Sequence, residues 1–179
     1  MVKIKLNMAS SADGFVADEN GKVDFLNRYP MEETASKKFS DFMDSIDVIV
    51  MGSKSYLQLP ELSPDEWLYK GKKIFVFSDG RFPVPDIAKG EEINFCKGEV
   101  DWFIDQIKSS SQKAVWLFGG ANIVKQFHDE GFIDEYIITF VPDELGKGIE
   151  LFKSSVDLSK LKKVSEESVG VFVEKIFVK

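Results

Sequence analysis

Three short apolar runs constrain this chain more than anything else in it: DVIVMG from Asp47 to Gly52, KKIFVFSDG from Lys72 to Gly80, and KAVWLFGG over 113–120. A short run without polar alternation fits a strand covered on both faces, because neither side of the pleat faces water. Each ends on glycine or small polar residues, and apolar residues at helical spacing recur between the runs. KGEVDWFIDQIKSS opens on Glu99 and Asp101, which suit the positive end of a helix, and spaces Val100, Phe103, Ile104 and Ile107 helically. ANIVKQFHDEG restarts helical spacing directly after Gly119 and Gly120 and closes on Gly131. EETASKKFSDFMDSI places Phe39, Phe42, Met43 and Ile46 on one helical face.

Two more strands follow from the pattern. KIKLNMAS alternates with period two and reads as a strand from Val2 to Ala9, and DEYIITFVP is a fourth apolar run. KKVSEESVGVFVEKIFVK reads as a hairpin made of the last two strands. Strands separated by helices need parallel crossovers, whereas the hairpin must be antiparallel. The predicted fold is α/β: a mixed, mostly parallel sheet with helices on both faces and a C-terminal antiparallel hairpin.

A chain of 179 residues with 44% hydrophobic residues and 16 phenylalanines is expected to form one domain over 1–179. Its formal charge of −7, from 23 basic and 30 acidic residues, argues against a nucleic-acid or anionic membrane surface. One cysteine, Cys96, and one histidine, His128, leave no disulfide framework and no expected metal site. With no apolar run near the ~20 residues of a membrane span, the expected location is cytoplasmic. His128, beside Asp129 and Glu130, reads as part of a solvated face.

In open α/β sheets, ligands sit beyond the carboxyl ends of the strands, so MGSKS, SDGR and GGAN are the segments to inspect. Gly119 and Gly120 allow close approach of a ligand to backbone, and the helix from Ala121 presents bare N–H groups to an anion such as a pyrophosphate. A tight strand-to-helix turn explains the same glycines, and both readings stay open here. MGSKS lacks the glycine spacing of a P-loop. Gly52 to Ser55 still offer N–H groups, hydroxyls and the Lys54 ammonium to a phosphate, or simply an N-capped helix. Asp13 and Asp24, flanking the first loop, are candidate proton donors.

MGSKSY, FVFSD, WLFGGANIVKQF and IDEYIITFVPDELGKGIELF come in the order and near the spacing of the dihydrofolate reductase-like superfamily. SSADGFVADENGKVDFL likewise resembles the opening of the reductase domain of the bifunctional riboflavin-biosynthesis deaminase/reductase, the RibD C-terminal domain. The resemblance covers nearly the whole chain. It implies a reductase of a pterin-like or ribosylamino-pyrimidine substrate, as in riboflavin biosynthesis, working as a homodimer with NADPH, or with NADH. Carried over by position, Ala9, Val16 and Ala17 would line the nicotinamide pocket. Gly52, Ser53, Lys54 and Ser55 would meet the phosphates from one side, with Gly119, Gly120, Ala121, Asn122, Ile123 and Val124 on the pyrophosphate from the other. Phe77 and Ser78 would flank the adenosine, and Thr139 would line the substrate pocket. Asp24 is the first choice of acid and Asp13 the second.

Departures from the family's pattern carry information too. Ser53 stands where a basic group is common, and Ser78 and Asp79 where Ser-Arg or Ser-Thr is common, so an NADPH 2′-phosphate would depend on Lys54 or Arg81. Phe118 stands where the riboflavin-pathway reductases place a glutamate. The missing basic group at Ser53, with the absence from YLQLPELSPDEWLYKGKK of the arginine that holds the glutamate tail in folate reductases, motivates an alternative, a non-catalytic nucleotide-binding protein that keeps the fold. The apolar strand VGVFVEKIFVK, expected at a sheet edge, adds a structural reason to expect pairing between copies.

Overall fold

The computed structural model describes residues 1–30, 32–62, 64–152 and 157–179. Its ten strands are β1 Lys3–Ser11, β2 Phe15–Ala17, β3 Val48–Gly52, β4 Lys73–Phe77, β5 Ile93–Cys96, β6 Ala114–Gly119, β7 Glu135–Val141, β8 Ile149–Glu150, β9 Lys162–Val169 and β10 Phe172–Val178. Four α-helices accompany them: α1 Glu33–Asp44, α2 Ser53–Leu62, α3 Ile104–Ser109 and α4 Ala121–Asp129. Eight strands form one sheet in the order β5-β4-β3-β6-β1-β7-β10-β9. The pairs from β5 across to β7 are parallel, and β10 pairs antiparallel with both β7 and β9. The mixed, mostly parallel sheet with a terminal antiparallel hairpin is therefore what forms.

The continuous apolar runs become strands covered on both faces. Along β3, Val48 and Val50 join a core with the inner residues of α3 and α4, while Ile49 and Met51 join a second core with α2. Ile49, Val50 and Met51 have no exposed surface, and each such side chain stabilises the fold by about 1.5–3 kcal/mol. In β6, Val115 and Leu117 face the first core, and Ala114 and Trp116 the second.

Several expectations need correction. The short β5 and the two-stranded ribbon of β2 with β8 are too brief to show periodicity; they form because neighbouring backbone is there to pair with. The helix expected over 97–110 divides into a 3-10 turn at Val100–Trp102 and the shorter α3. Ile46 lies beyond the end of α1 yet is fully buried, and Phe39 stays 36% exposed. The apolar strand β10 is not an edge, since β9 covers it; the edge is β9, whose KKVSEESV sequence carries the Lys and Glu residues that discourage further pairing. The argument for a homodimer from an uncovered β10 therefore fails.

The strand order reverses direction around β3, β6 and β1. The chain steps outward from β3 to β4 to β5, and then returns to insert β6 between β3 and β1. Such a switch point opens a crevice beyond the strand ends.

Candidate active site

A cavity of about 600 Å³ occupies that crevice, within the usual range of roughly 300–1,000 Å³ for small-molecule and cofactor sites. Glycines stand at the two strand-to-helix corners beside it, Gly52 after β3 and Gly119 with Gly120 after β6. Gly119 has φ +124°, which side chains rarely adopt, and a Cβ on it would sit 3.0 Å from Met8 Cε, so another residue strains the backbone and pushes the Met8 side chain aside. A Cβ on Gly52 would lie 3.9 Å from both the Gly119 oxygen and the Gly120 nitrogen, and one on Gly120 would lie 3.5 Å from Ser55 Oγ. The start of α2 therefore stands beside the start of α4. Helix α4 has Gly120 at its N-cap and no side-chain cap. Two adjacent helix N-termini opening on one cavity create a positive field suited to a diphosphate.

Most of the residues expected at a cofactor line this cavity: Ala9, Val16, Ala17, Gly52, Ser53, Lys54, Ser55, Phe77, Ser78, Gly120, Ala121, Asn122 and Ile123. Gly119 and Val124 do not. Gly119 lies behind the wall, and Val124 is fully buried on the core side of α4, because helix geometry turns it towards the sheet. Asp79 joins Ser78 on the wall, and among the described residues Lys54 is its one lining cation; Arg81 is exposed and lies off it. Phe118 is also on the wall, packed against Trp116 and Tyr69 with ring centroids 4.9 and 6.1 Å away.

A second cavity of about 420 Å³ adjoins the first, and Asn7, Met8, Ala9, Leu26 and Trp116 line both. Trp116 donates from its indole nitrogen to the Asn7 oxygen (3.0 Å), which fixes the ring across β1. Phe39 and Phe42 of α1 form one wall, and Thr139 of β7 with Phe172, Glu174 and Ile176 of β10 form another. Thr139, which the resemblance assigns to a substrate pocket, is on the lining of this cavity. Lys38 reaches over from α1 and donates to Glu174 Oε1 (2.8 Å) and Glu167 Oε2 (2.7 Å). Those two hydrogen bonds hold its pKa above the usual lysine value, Glu167's first and Glu174's second.

Neither expected acid lines either cavity. Asp13 is a brace: Ser11 Oγ donates to Oδ1, and the backbone N–H groups of Leu145 and Gly146 donate to Oδ1 and Oδ2, tying the first loop to the segment after β7. The Ser11 hydrogen bond is the main cause of its lowered pKa, which favours the ionised form over a proton donor. Asp24 opens a 3-10 turn, Asp24–Arg28, and is exposed, while Val23 and Leu26 on either side of it line the cavities. A turn of three residues per revolution points Asp24 away from the wall that its neighbours form.

His128 is not a freely solvated residue either. Its Nδ1 lies 2.6 Å from the Tyr136 hydroxyl, and burial lowers its pKa. Cys96 is buried and its thiol is pushed up to about 11. Among the described residues, no group of three or more His, Cys, Asp or Glu side chains is placed to hold a metal ion, and no helix is long and apolar enough to cross a membrane.

With this geometry in view, similarity to known proteins becomes decisive. The profile of the RibD C-terminal domain matches residues 86–173. The chain belongs to that family. A Bacillus subtilis (strain 168) protein, YwjB, is 31% identical over 177 residues, spanning 99% of this chain and 98% of its own. A second protein of that strain, YyaP, is 28% identical over 184 residues, 97% of this chain and 93% of its own; both carry names that specify no activity. Among solved structures, a Shewanella sp. PV-4 protein provisionally named for riboflavin biosynthesis superposes with a TM-score of 0.82 at 28% identity, covering 99% of this chain and 98% of its own. A Thermotoga maritima diaminohydroxyphosphoribosylaminopyrimidine deaminase/5-amino-6-(5-phosphoribosylamino)uracil reductase superposes with a TM-score of 0.70 at 17% identity. This chain matches only 56% of it, so that likeness concerns the fold, which is dihydrofolate reductase-like.

Residues that the motifs did not reveal complete the site. Trp116 sits in the middle of an apolar run and gave no signal other than core. Phe39 and Phe42 showed the right helical face, but only the sheet opposite them makes that face a cavity wall. Lys38 and Glu174 are separated by 136 positions, and nothing in the local sequence of either marks the pair.

Proposed function

We propose that the protein is an NAD(P)H-dependent reductase that transfers a hydride to a small heterocycle, pterin-like or ribosylamino-pyrimidine in type. The observation that carries this reading is the wall of Asn7, Met8, Ala9, Leu26 and Trp116 common to the two cavities. The N-termini of α2 and α4 would hold the pyrophosphate of a dinucleotide, and Ala9, Val16 and Ala17 would receive its nicotinamide, with Ala9 also on the lining of the second cavity and so at the boundary between the two. Nicotinamide, when bound, supplies the hydride; the chain's task is to align two rings across that boundary and exclude water. NADPH is the cofactor favoured by the resemblance, with Lys54 as the nearest cation, and NADH is favoured by Asp79 on the same wall. The accompanying proton comes from water, since Asp13 and Asp24 lie outside both cavities and Asp41 and Glu174 are each paired with a lysine. The chain works as one domain in the cytoplasm, and a homodimer belongs to this proposal on the resemblance alone. A monomeric mass by light scattering would remove the dimer and leave the rest.

Titration of the protein with NADPH and NADH, followed by the fluorescence of its three tryptophans, tests the reading, because Trp116 lies on the boundary. We expect a saturable change with a Kd well below about 1 mM for at least one nucleotide, and absence of saturation for both overturns the reading. One observation favours a second reading, nucleotide binding without turnover: neither expected acid reaches the site. Consumption of reduced nucleotide in the presence of pterins or pyrimidine ribosides separates the two.

A further inference from the structure

We propose that the second cavity selects planar rings that carry no negative charge, binding the uncharged or cationic form and rejecting a phosphorylated or carboxylated one. The inference rests on reading that cavity as the substrate half of a reductase site, and it narrows the substrate class.

The walls are suited to a flat apolar body. Phe39 and Phe42 make T-shaped contacts with Trp116 at centroid distances of 6.1 and 5.3 Å, and all three rings line the cavity between α1 and the sheet. The charged groups on the lining are Lys38, Asp41 and Glu174. Lys38 is engaged by two carboxylates at once, and Asp41 by Lys37 (2.7 Å). One ammonium against Glu174 and Glu167 leaves the site net negative. Glu32 adds a further carboxylate at the turn between β9 and β10, with its Oε atoms 2.6 Å from where a Gly170 Cβ would stand. An anion entering here gives up water and finds carboxylates, and among the described residues the one lining ammonium, Lys38, is already held by two of them.

The polar groups present suit the opposite kind of ligand. Glu174 and Thr139 are direct cross-strand partners on the lining of the cavity, and the Glu174 side chain is only 16% exposed. Among the described residues, Glu174 has Lys38 as its hydrogen-bonding partner, through Oε1. Its other oxygen can accept from a ring N–H or amino group, and the Thr139 hydroxyl can donate or accept beside it. The first cavity differs at each point, with two helix N-termini and Lys54 facing the ligand. Negative charge on the bound pair is thus taken up by the cofactor half, and the ring half excludes it.

The test uses two matched pairs with the full chain: 6-hydroxymethylpterin against pterin-6-carboxylate, read by pterin fluorescence, and uridine against uridine 5′-monophosphate, read by calorimetry. Each is measured with and without saturating NADPH. We expect the uncharged member of a pair that binds to be at least about tenfold tighter, about 1.4 kcal/mol. Glu174→Gln should shrink that ratio, and the double variant Glu167→Gln/Glu174→Gln, which releases Lys38, should reverse it. Circular dichroism establishes that both variants are folded; the wild-type ratios decide the matter if they are not. Equal or tighter binding of the charged members, or no binding of any of the four, overturns the inference. Selectivity without nucleotide binding removes the reductase reading and keeps the inference, and nucleotide binding without selectivity does the reverse.

Discussion

The two cavities lie side by side and are built by different means. The larger one hangs on the parallel half of the sheet, where β3 and β6 each run straight into a helix. That topology places helix N-termini and glycine corners at the strand ends, so the positive field on this side comes from backbone. The smaller one lies over β7 and β10, an antiparallel pair. The first turns of α1 reach it through Ala35 and Lys38, and its character comes from individual side chains: aromatic rings, Thr139, Glu174 and Lys38. A backbone-built half tolerates side-chain change and demands glycine, whereas a side-chain-built half can be altered in specificity one residue at a time.

The largest expected effect sets the buried centre of the sheet against its charged edge. Ile49→Ala in β3, at a position with no exposure, should cost about 2–5 kcal/mol in urea unfolding. Val164→Ala in β9, 50% exposed, should stay within about 0.5 kcal/mol. Similar losses at the two sites would break the contrast between a doubly covered centre and an open wing.

Gly119→Ala should come next, at about 1–3 kcal/mol from its positive φ alone, and should weaken nucleotide binding because Met8 or β1 must shift. A variant of wild-type stability and affinity would show that the corner is not set by backbone. Lys54→Gln sharpens the comparison from the ligand side. Its NADPH dissociation constant should rise by about tenfold, the order of a charge-assisted hydrogen bond, with no change for 6-hydroxymethylpterin; an equal loss for both would mean that the cavities do not divide the ligands as proposed.

Smaller effects concern the two titrating groups outside the cavities. Asp13 has a depressed pKa in the fold, so its contribution is fully present above the unfolded value of 3.8 and is lost as pH falls through the lower folded value. Asp13→Asn should therefore be less stable than wild type near neutral pH and equal to it in strong acid, with nucleotide affinity unchanged. A loss of affinity would return Asp13 to the site. His128, also depressed but a base, favours folding above its unfolded pKa of 6.5 and opposes it as pH falls below that value. The one histidine should titrate below 6.5 by proton NMR, and a higher midpoint would place it back on a solvated surface.

Much of the parallel half was legible in the chain. Unbroken apolar runs ending on glycine, with helical spacing between them, could become little else than covered parallel strands with ligand-facing ends, and most residues named there do line the larger cavity. Val124 was misplaced because a motif names a stretch, while helix geometry sends alternate members of that stretch to opposite sides. The antiparallel wing was less legible. Its hairpin was clear, but the apolar β10 looked like an edge until β9 covered it. Asp13 and Asp24 drew attention as loop carboxylates, and only hydrogen-bond partners and exposure distinguish a brace or a solvated acid from a proton donor.

The amino-acid sequence alone determined the class of the sheet, the strand-to-helix corners at Gly52 and Gly119–Gly120, and the family to which those corners point. These features are local, since a run, a turn and a helix start are each written in adjacent residues. Tertiary structure alone decided that Trp116 stands between two cavities, that Lys38 is held by Glu167 and Glu174, and that the smaller cavity carries Glu174 and Asp41 on its lining. Those groups come from α1, β6, β9 and β10, and their chemistry exists only once the sheet has brought distant segments together.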